Sequence, residues 1–354
     1  MGRDVLKIAF RVDAGNLIGT GHLIETLALM ENMKQKMVFR PIFITHRDAF
    51  TLKKIKEAAV RTVKYVPDSI PEDKEADAII RILGKEGCGH CVTDLLNRSN
   101  DFYGYLAGRL KTTCVILDNS EHREIPATLL VNFSITQKQE FYENAERFLT
   151  RYLIGPRYFP MKKSLRDAMP VRIRKKARSI FVNQGGSDPY GLTVKIISAL
   201  EKACLKEKVS VVLGGALKDD LKKEIKILRS SLKGDYSFYS NLPQVKVYEL
   251  MRKSDLAISA AGNLLYELAF LGIPTLVVSH HERHDAVANA FHKKGAAFNI
   301  GIGSAISEAM IKETVLRFMN DYNGRRSLAR NAASLFAPRG EDALSAEQAR
   351  IYCS

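Results

Sequence analysis

The 354-residue chain has no tryptophan, only five cysteines, and no uninterrupted apolar run long enough to cross a bilayer. An odd, scattered set of cysteines does not build the disulfide framework of a small secreted protein. The most apolar region, Leu256 to Ser279, is broken by Gly262, Asn263, Glu267, Gly272 and Pro274, which suits a buried strand-helix-strand unit better than a membrane span. The first residues, Met1 to Lys7, are too charged and too short in apolar residues for a secretion signal, so a cytoplasmic protein is expected. Acidic residues are also scarce, 39 against 54 Lys and Arg, and the formal charge is +15. That excess calls for an anionic partner or surface. No nucleic-acid motif marks the densest basic run, Arg157 to Arg178, and the chain lacks tryptophan for base stacking. Nucleic acid is therefore not expected. Attraction of phosphorylated substrates, or peripheral contact with an anionic membrane surface, is expected instead.

Two metal signatures are missing as well. There is no Asp-x-Asp pair, and His281-Glu282-Arg283-His284 is one residue short of the zinc-binding H-E-x-x-H spacing, so no metal and no cofactor are expected. Cys88-Gly89-His90-Cys91 spells a redox tetrapeptide, but it follows a helical segment and enters a strand, the reverse of the thioredoxin arrangement. No second C-x-x-C exists to complete a zinc site.

What is present is the composition of a soluble globular protein, 46% hydrophobic and 26% charged, at a length suited to two domains. Strand-like and helical segments alternate twice, which predicts two parallel-sheet α/β domains. In the first half, strands are expected at Lys7–Val12, Val38–Ile44, Arg61–Val66, Cys91–Leu95, Cys114–Leu117 and Leu129–Asn132, with helices at His22–Gln35 and Glu72–Lys85. In the second, strands are expected at Ser179–Asn183, Val209–Leu213, Tyr236–Tyr239, Leu256–Ser259 and Thr275–Val278. The expected boundaries are an N-terminal domain over 1–156, a basic proline-bearing linker over 157–178, a nucleotide-binding domain over 179–320 and a tail over 321–354. That tail reads as helical to about Leu335 and as polar and undefined beyond it.

Ligands in such sheets sit beyond the carboxyl ends of strands, and the suspicious loops all fall there. The first strand runs into Gly15, Gly19, Gly21 and then His22 at the mouth of a helix, where the helix dipole disfavours an imidazolium and favours a neutral, proton-accepting ring. A lone histidine at such a place more often caps or packs, so its company decides. The segment fits neither the dinucleotide fingerprint nor the phosphate loop, which argues against nicotinamide and ATP. In the second half, Gln184-Gly185-Gly186-Ser187-Asp188, Gly214-Gly215-Ala216 and Ser259-Ala260-Ala261-Gly262-Asn263 each follow a strand. Bare backbone N–H groups before a helix make ready sites for a diphosphate.

In this order and spacing, Gly19-Thr20-Gly21-His22, Gly185-Gly186-Ser187-Asp188 and Ser259 to Glu267 resemble the GT-B glycosyltransferase superfamily. Within it the likeness is to the UDP-sugar hydrolase of the pseudaminic acid pathway and to related spore-coat polysaccharide proteins. Arg11-Val12-Asp13, Leu117-Asp118-Asn119 and Asn132 match too, and the resemblance spans roughly residues 7 to 300. It implies an α/β fold of two Rossmann-type domains facing a cleft, and a metal-independent, inverting release of UDP from a (di)acetamido-deoxy sugar. His22 would be the general base, with Asp13 a second candidate catalytic residue. Gly185, Gly186, Ser187, Gly214, Gly262, Asn263, Leu264 and Glu267 would hold the nucleotide. Gly19, Gly21, Asn132, His284, Asp285 and Asn289 would lie on the sugar side. A UDP-sugar is the implied partner, and a monomer is expected. A glycosyltransferase with a UDP-sugar donor, a sugar 2-epimerase and a non-catalytic nucleotide-sugar or polyanion binder are the alternatives. Two departures fall on the sugar side: Glu25 stands where the family carries arginine, and Leu95-Leu96-Asn97 where the pathway hydrolase carries tyrosine.

Overall fold

The computed structural model describes residues 5–14, 21–117, 122–145, 147–338 and 342–353. The chain divides into two compact units: Met1–Lys163 with Gly340–Ser354, and Ser164–Arg339.

The first unit is built on seven parallel strands: β1 (Lys7–Val12), β2 (Arg40–Thr45), β3 (Thr62–Tyr65), β4 (His90–Asp94), β5 (Thr112–Leu117), β6 (Leu129–Asn132) and β7 (Arg151–Ile154). Their order in the sheet is β3-β2-β1-β4-β5-β6-β7. The near-continuous apolar reading of β1 and β5 follows from burial on both faces, the signature of a parallel sheet covered by helices. Helix Glu72–Glu86 shows how local sequence fixes such a cover. Glu72, Asp73 and Glu75 fill its first turn, where negative charge suits the dipole, and Gly87 ends it in the left-handed conformation with φ 61°.

The second unit has six parallel strands: β8 (Ser179–Asn183), β9 (Lys208–Leu213), β10 (Tyr236–Ser240), β11 (Leu256–Ser259), β12 (Thr275–Ser279) and β13 (Phe298–Ile302). They are ordered β10-β9-β8-β11-β12-β13. Each unit thus reverses its winding once, between β1 and β4 in the first and between β8 and β11 in the second. Ligands of doubly wound sheets bind outside the carboxyl ends of strands at such switch points. The two positions single out His22 with β4 in one unit, and the glycine loops after β8 and β11 in the other.

Two strands escape the sequence pattern. β7 is a four-residue strand at one margin of its sheet and β13 lies at the margin of the other. β13 contains Gly301 at φ 129°, and its pairing slips by one residue opposite Val277 and Val278, so no clean alternation survives. The segment beyond Leu335, expected to be polar and undefined, contains helix Ala343–Cys353. This helix is part of the first unit and joins its strands through Glu347 with Arg151 (2.6 Å), Gln348 Nε2 with Cys114 Sγ (3.5 Å), and an edge-on contact of Tyr352 with His90. No helix among the described residues is long and apolar enough to cross a membrane.

The Cys88-Gly89-His90-Cys91 tetrapeptide runs from the end of a helix into β4, as its sequence context indicates. Burial pushes the Cys88 and Cys91 thiols up, and Cys114 up to about 12. Thiols held protonated in this way are poor nucleophiles and metal ligands.

Candidate active site

In the first unit the site grows from β1. Arg11, at 0% exposure, is with Arg325 the largest fully buried side chain among the described residues. A buried cation needs anionic partners, and it has two carboxylates. Its Nη1 and Nη2 donate to Asp13 Oδ1 and Oδ2 (2.5 and 2.7 Å), and its Nε and Nη2 donate to Glu75 Oε1 (2.9 and 2.6 Å). Arg98 donates to the other Glu75 oxygen at 2.8 and 3.1 Å, so two guanidinium groups meet two carboxylates. Burial opposes the Arg11 charge, but Asp13 and Glu75 outweigh it and hold the group protonated. Removing one member of such a network leaves a buried charge unpaired, at a cost of about 3–5 kcal/mol. Asp13 also accepts from the His46 backbone N–H at 3.3 Å. Both of its oxygens are engaged, which suits an anchor for the end of β1.

His22 stands at the first turn of helix Gly21–Met33, beside the switch point. Its Nδ1 lies 2.7 Å from Asp94 Oδ1, at the carboxyl end of β4, and the Thr26 hydroxyl donates to Asp94 Oδ2 at 3.0 Å. A carboxylate can only accept, so in the neutral ring Nδ1 carries the proton and Nε2 the lone pair. Asp94, which sequence reasoning left out of the site, sets the tautomer. Glu25 is buried one helical turn from His22, and ligand atoms of His22, Glu25 and Asp94 lie within 4.8 Å of one another. These three groups could hold a cation, a possibility that linear motif spacing did not reveal. Gly21 opens the helix. Asn132 ends β6, fully buried, with its Oδ1 accepting from Ser134 N at 3.2 Å. Gly19, Asp118 and Asn119 lie outside the described residues.

In the second unit, Gly185 takes φ 81°, a conformation costly for residues with a Cβ. Asn183 shapes this turn by accepting from Gly185 N at 2.8 Å and donating to Val212 O at 2.8 Å. A Cβ on Gly185, Gly186 or Gly262 would meet nothing within 4 Å, so these backbones border open space. Gly214 is the opposite case, because a Cβ there would lie 2.1 Å from Gly186 O and 2.4 Å from Gly185 O. The loops after β8 and β9 therefore interlock, and Ala216 N donates to Gly186 O at 2.9 Å. Ser187 is exposed on this loop, while Asp188 turns inward and caps helix Leu192–Lys202 through Leu192 N and Thr193 N, both at 2.9 Å.

Gly262 is the N-cap of helix Asn263–Phe270, whose first turn holds Asn263 and Leu264. Glu267, one turn on, accepts from the buried hydroxyl of Tyr248 at 2.8 Å, a partner the sequence did not suggest. Burial, and then Glu267, keep that phenol protonated. Gln184 is 1% exposed, yet neither polar atom of its side chain has a partner. Ser279 Oγ, His280 Nε2 and His284 Nδ1, on and after β12, are likewise buried without one. Buried polar groups normally find partners, so these strand-end positions are ones a polar ligand can satisfy.

Asp285 and Asn289 are engaged with each other at 2.7 Å, and Asn299 of β13 donates to both at 2.8 and 2.9 Å. His284 is different. Burial, and then His281 and His280, push it down to about 4, and burial likewise lowers His280. The unfolded chain, with histidine near 6.5, binds the proton that folded His284 refuses. Stability from this group is therefore complete above about pH 6.5 and is lost as pH falls toward about 4, by at most about 3 kcal/mol. Urea melts of the chain at about pH 7.5 and about pH 5 are expected to show this loss, and His284→Gln to reduce it. Equal pH sensitivity in the variant would remove His284 from the explanation.

No family model matches the chain. It is 24% identical to the spore coat polysaccharide biosynthesis protein SpsG of Bacillus subtilis over 347 residues, covering 95% of each chain. It is 26% identical over 303 residues to the uncharacterized protein MJ1062 of Methanocaldococcus jannaschii. That match takes in 82% of this chain, which spans only 59% of the relative's length. Among solved structures, a UDP-glucosyltransferase from Polygonum tinctorium matches with a TM-score of 0.69 at 12% identity, covering 100% of each chain. The chain has the GT-B-type fold that the resemblance implied, and its likeness to spore-coat polysaccharide proteins is borne out by SpsG.

Proposed function

We propose that this protein is a nucleotide-sugar hydrolase that releases UDP from a (di)acetamido-deoxy sugar used in surface-glycan or nonulosonic acid biosynthesis, with His22 as the general base. The observation that carries this reading is the His22–Asp94 pair at the switch point of the first unit, with Thr26 on the second Asp94 oxygen. In the proposed step, the oxygen of a water molecule bonds to the anomeric carbon as its proton passes to His22 Nε2. The anomeric C–O bond breaks, and UDP leaves with the bonding electrons. Asp94 supports the imidazolium that forms, a role that commonly accompanies general-base histidine. The growing charge on the diphosphate is assigned to the backbone N–H groups of the Gly185–Gly186 turn and of the helix that starts at Asn263. Glu267 is assigned to the ribose hydroxyls. The likeness to SpsG and to the Polygonum tinctorium UDP-glucosyltransferase supports a role in sugar chemistry and a UDP-linked donor.

A glycosyltransferase is the second reading. It is favoured by the Polygonum tinctorium likeness and by the two sequence departures, at Glu25 and at Leu95-Leu96-Asn97. Incubating the full chain with candidate UDP-sugars, with and without acceptors and with EDTA throughout, separates the readings. UDP release without acceptor, undiminished by EDTA, is expected. Release only with an acceptor would replace the hydrolase by the transferase. Loss to EDTA with recovery on adding manganese or magnesium would assign His22, Glu25 and Asp94 to a metal ion.

A further inference from the structure

The loops assigned to the nucleotide lie at the carboxyl ends of β8, β9 and β11. The opposite end of the same sheet carries a different feature, a cavity of about 880 Å³ bordered by the segment 170–178, the end of helix Gln244–Lys253, and Tyr322. Seven basic residues line it against one acidic residue, Asp255. We propose that this basic pocket docks the second unit onto the phosphate groups of an anionic membrane surface.

The pocket is built, not merely a run of exposed charge. Asp255, buried beneath it, accepts from Arg178 N at 2.9 Å, Ser179 Oγ at 3.1 Å and Arg174 Nη1 at 3.2 Å. The buried Arg325 donates from Nη2 to the carbonyls of Arg174 and Lys175, both at 3.0 Å, and from Nη1 to Met319 O at 2.8 Å. Val171 N donates to Leu271 O at 2.9 Å, and Ala177 is buried in the core. The backbone of a segment without regular secondary structure is thus pinned along its length. Arg172, Lys175 and Lys176 remain exposed, as do Arg252 and Lys253 across the pocket. Asp255 is already committed to holding the wall, so it does little to neutralise the rest.

The chemistry favours a phospholipid surface over a soluble anion. A basic segment close to an anionic bilayer is drawn to it, each Lys or Arg near the surface adding to binding. Here half-buried Val171 and Ile173 alternate with exposed Arg172 and Arg174, and Met169, 74% exposed, sits at the entry to the segment. Apolar groups can enter the headgroup region while the cations meet phosphates. A free phosphate would have no use for that apolar surface and would fill only a small part of the cavity. Because β8 and β11 run away from the pocket, binding there leaves the opposite strand ends clear for the nucleotide.

Co-sedimentation of the full chain with vesicles tests this inference independently of the hydrolase reading. Vesicles of phosphatidylcholine with about one-third phosphatidylserine should sediment the protein, and vesicles of phosphatidylcholine alone should not. The combined variant Arg172→Glu, Lys175→Glu, Lys176→Glu should bind anionic vesicles on the order of 100-fold more weakly. Its melting temperature and its UDP release in solution should match the parent. The milder Lys175→Ala, Lys176→Ala variant should show an intermediate loss, and raised salt should weaken the parent. Vesicle binding that is equal in parent and charge-reversed chain would overturn the proposal. So would a parent that binds pyrophosphate or RNA but stays in the supernatant with anionic vesicles.

Discussion

His22→Asn is expected to lower turnover of a UDP-sugar by about two to four orders of magnitude while leaving the fold and UDP affinity unchanged. Asparagine keeps polarity and much of the volume near Asp94 but cannot take a proton from water. UDP affinity is spared because the nucleotide is assigned to the second unit. Since a general base must be unprotonated to act, the parent rate should rise with pH as the base loses its proton, and the variant should lose that limb. Stopped assays of UDP release across pH, paired with calorimetry of UDP binding, check both halves. Near-normal release by the variant would make His22 a capping residue that merely pairs with Asp94 at 2.7 Å. Asp13 would then be a weak substitute as base, because Arg11 already binds both of its oxygens. His284, neutral at pH 7, would be the better one to examine.

Gly214→Ala is expected to destabilise the second unit by about 1–3 kcal/mol and to weaken UDP binding at least about tenfold. The added Cβ would stand 2.1 Å from Gly186 O, with backbone on the facing side, so the Gly185–Gly186 turn must move. That turn is the part assigned to the diphosphate. Thermal melts report the first effect, and calorimetry with UDP below the melting transition reports the second. Gly262→Ala is the matching control for steric strain, since a Cβ there meets nothing within 4 Å. A Gly214→Ala chain with parental UDP affinity would mean that the turn does not touch the nucleotide.

The elements legible in the sequence were those whose burial leaves a continuous apolar run. β1, β6, β8 and β11 coincide with the expected segments Lys7–Val12, Leu129–Asn132, Ser179–Asn183 and Leu256–Ser259. β13 was not legible because Asn299 and Gly301 interrupt its pattern, and helix Ala343–Cys353 because its buried face includes Ser345, Glu347 and Gln348. The site divides along a similar line. Glycine loops announce themselves locally, since a left-handed turn such as Gly185, or a close approach such as Gly214, requires glycine whatever lies elsewhere. Partnerships across the fold do not. Asp94 lies 72 residues from His22, and Glu75 lies 64 from Arg11. Only the sheet order, which sets β4 beside β1, brings the first pair together. The one usable signal was an acidic residue ending a strand next to the switch point. The Tyr248–Glu267 pair and the unpartnered Gln184 amide had no comparable mark in the sequence.

Running the reaction in water enriched in oxygen-18, with a UDP-sugar that the protein turns over and no acceptor, tests most directly whether this chain activates water against an anomeric carbon. Mass spectrometry of the products should find the label in the released sugar and none in UDP, and the rate of labelling should collapse with His22→Asn. Label in the β-phosphate of UDP would show water attacking phosphorus and contradict the anomeric step, and no release of UDP until an acceptor is supplied would contradict the hydrolase.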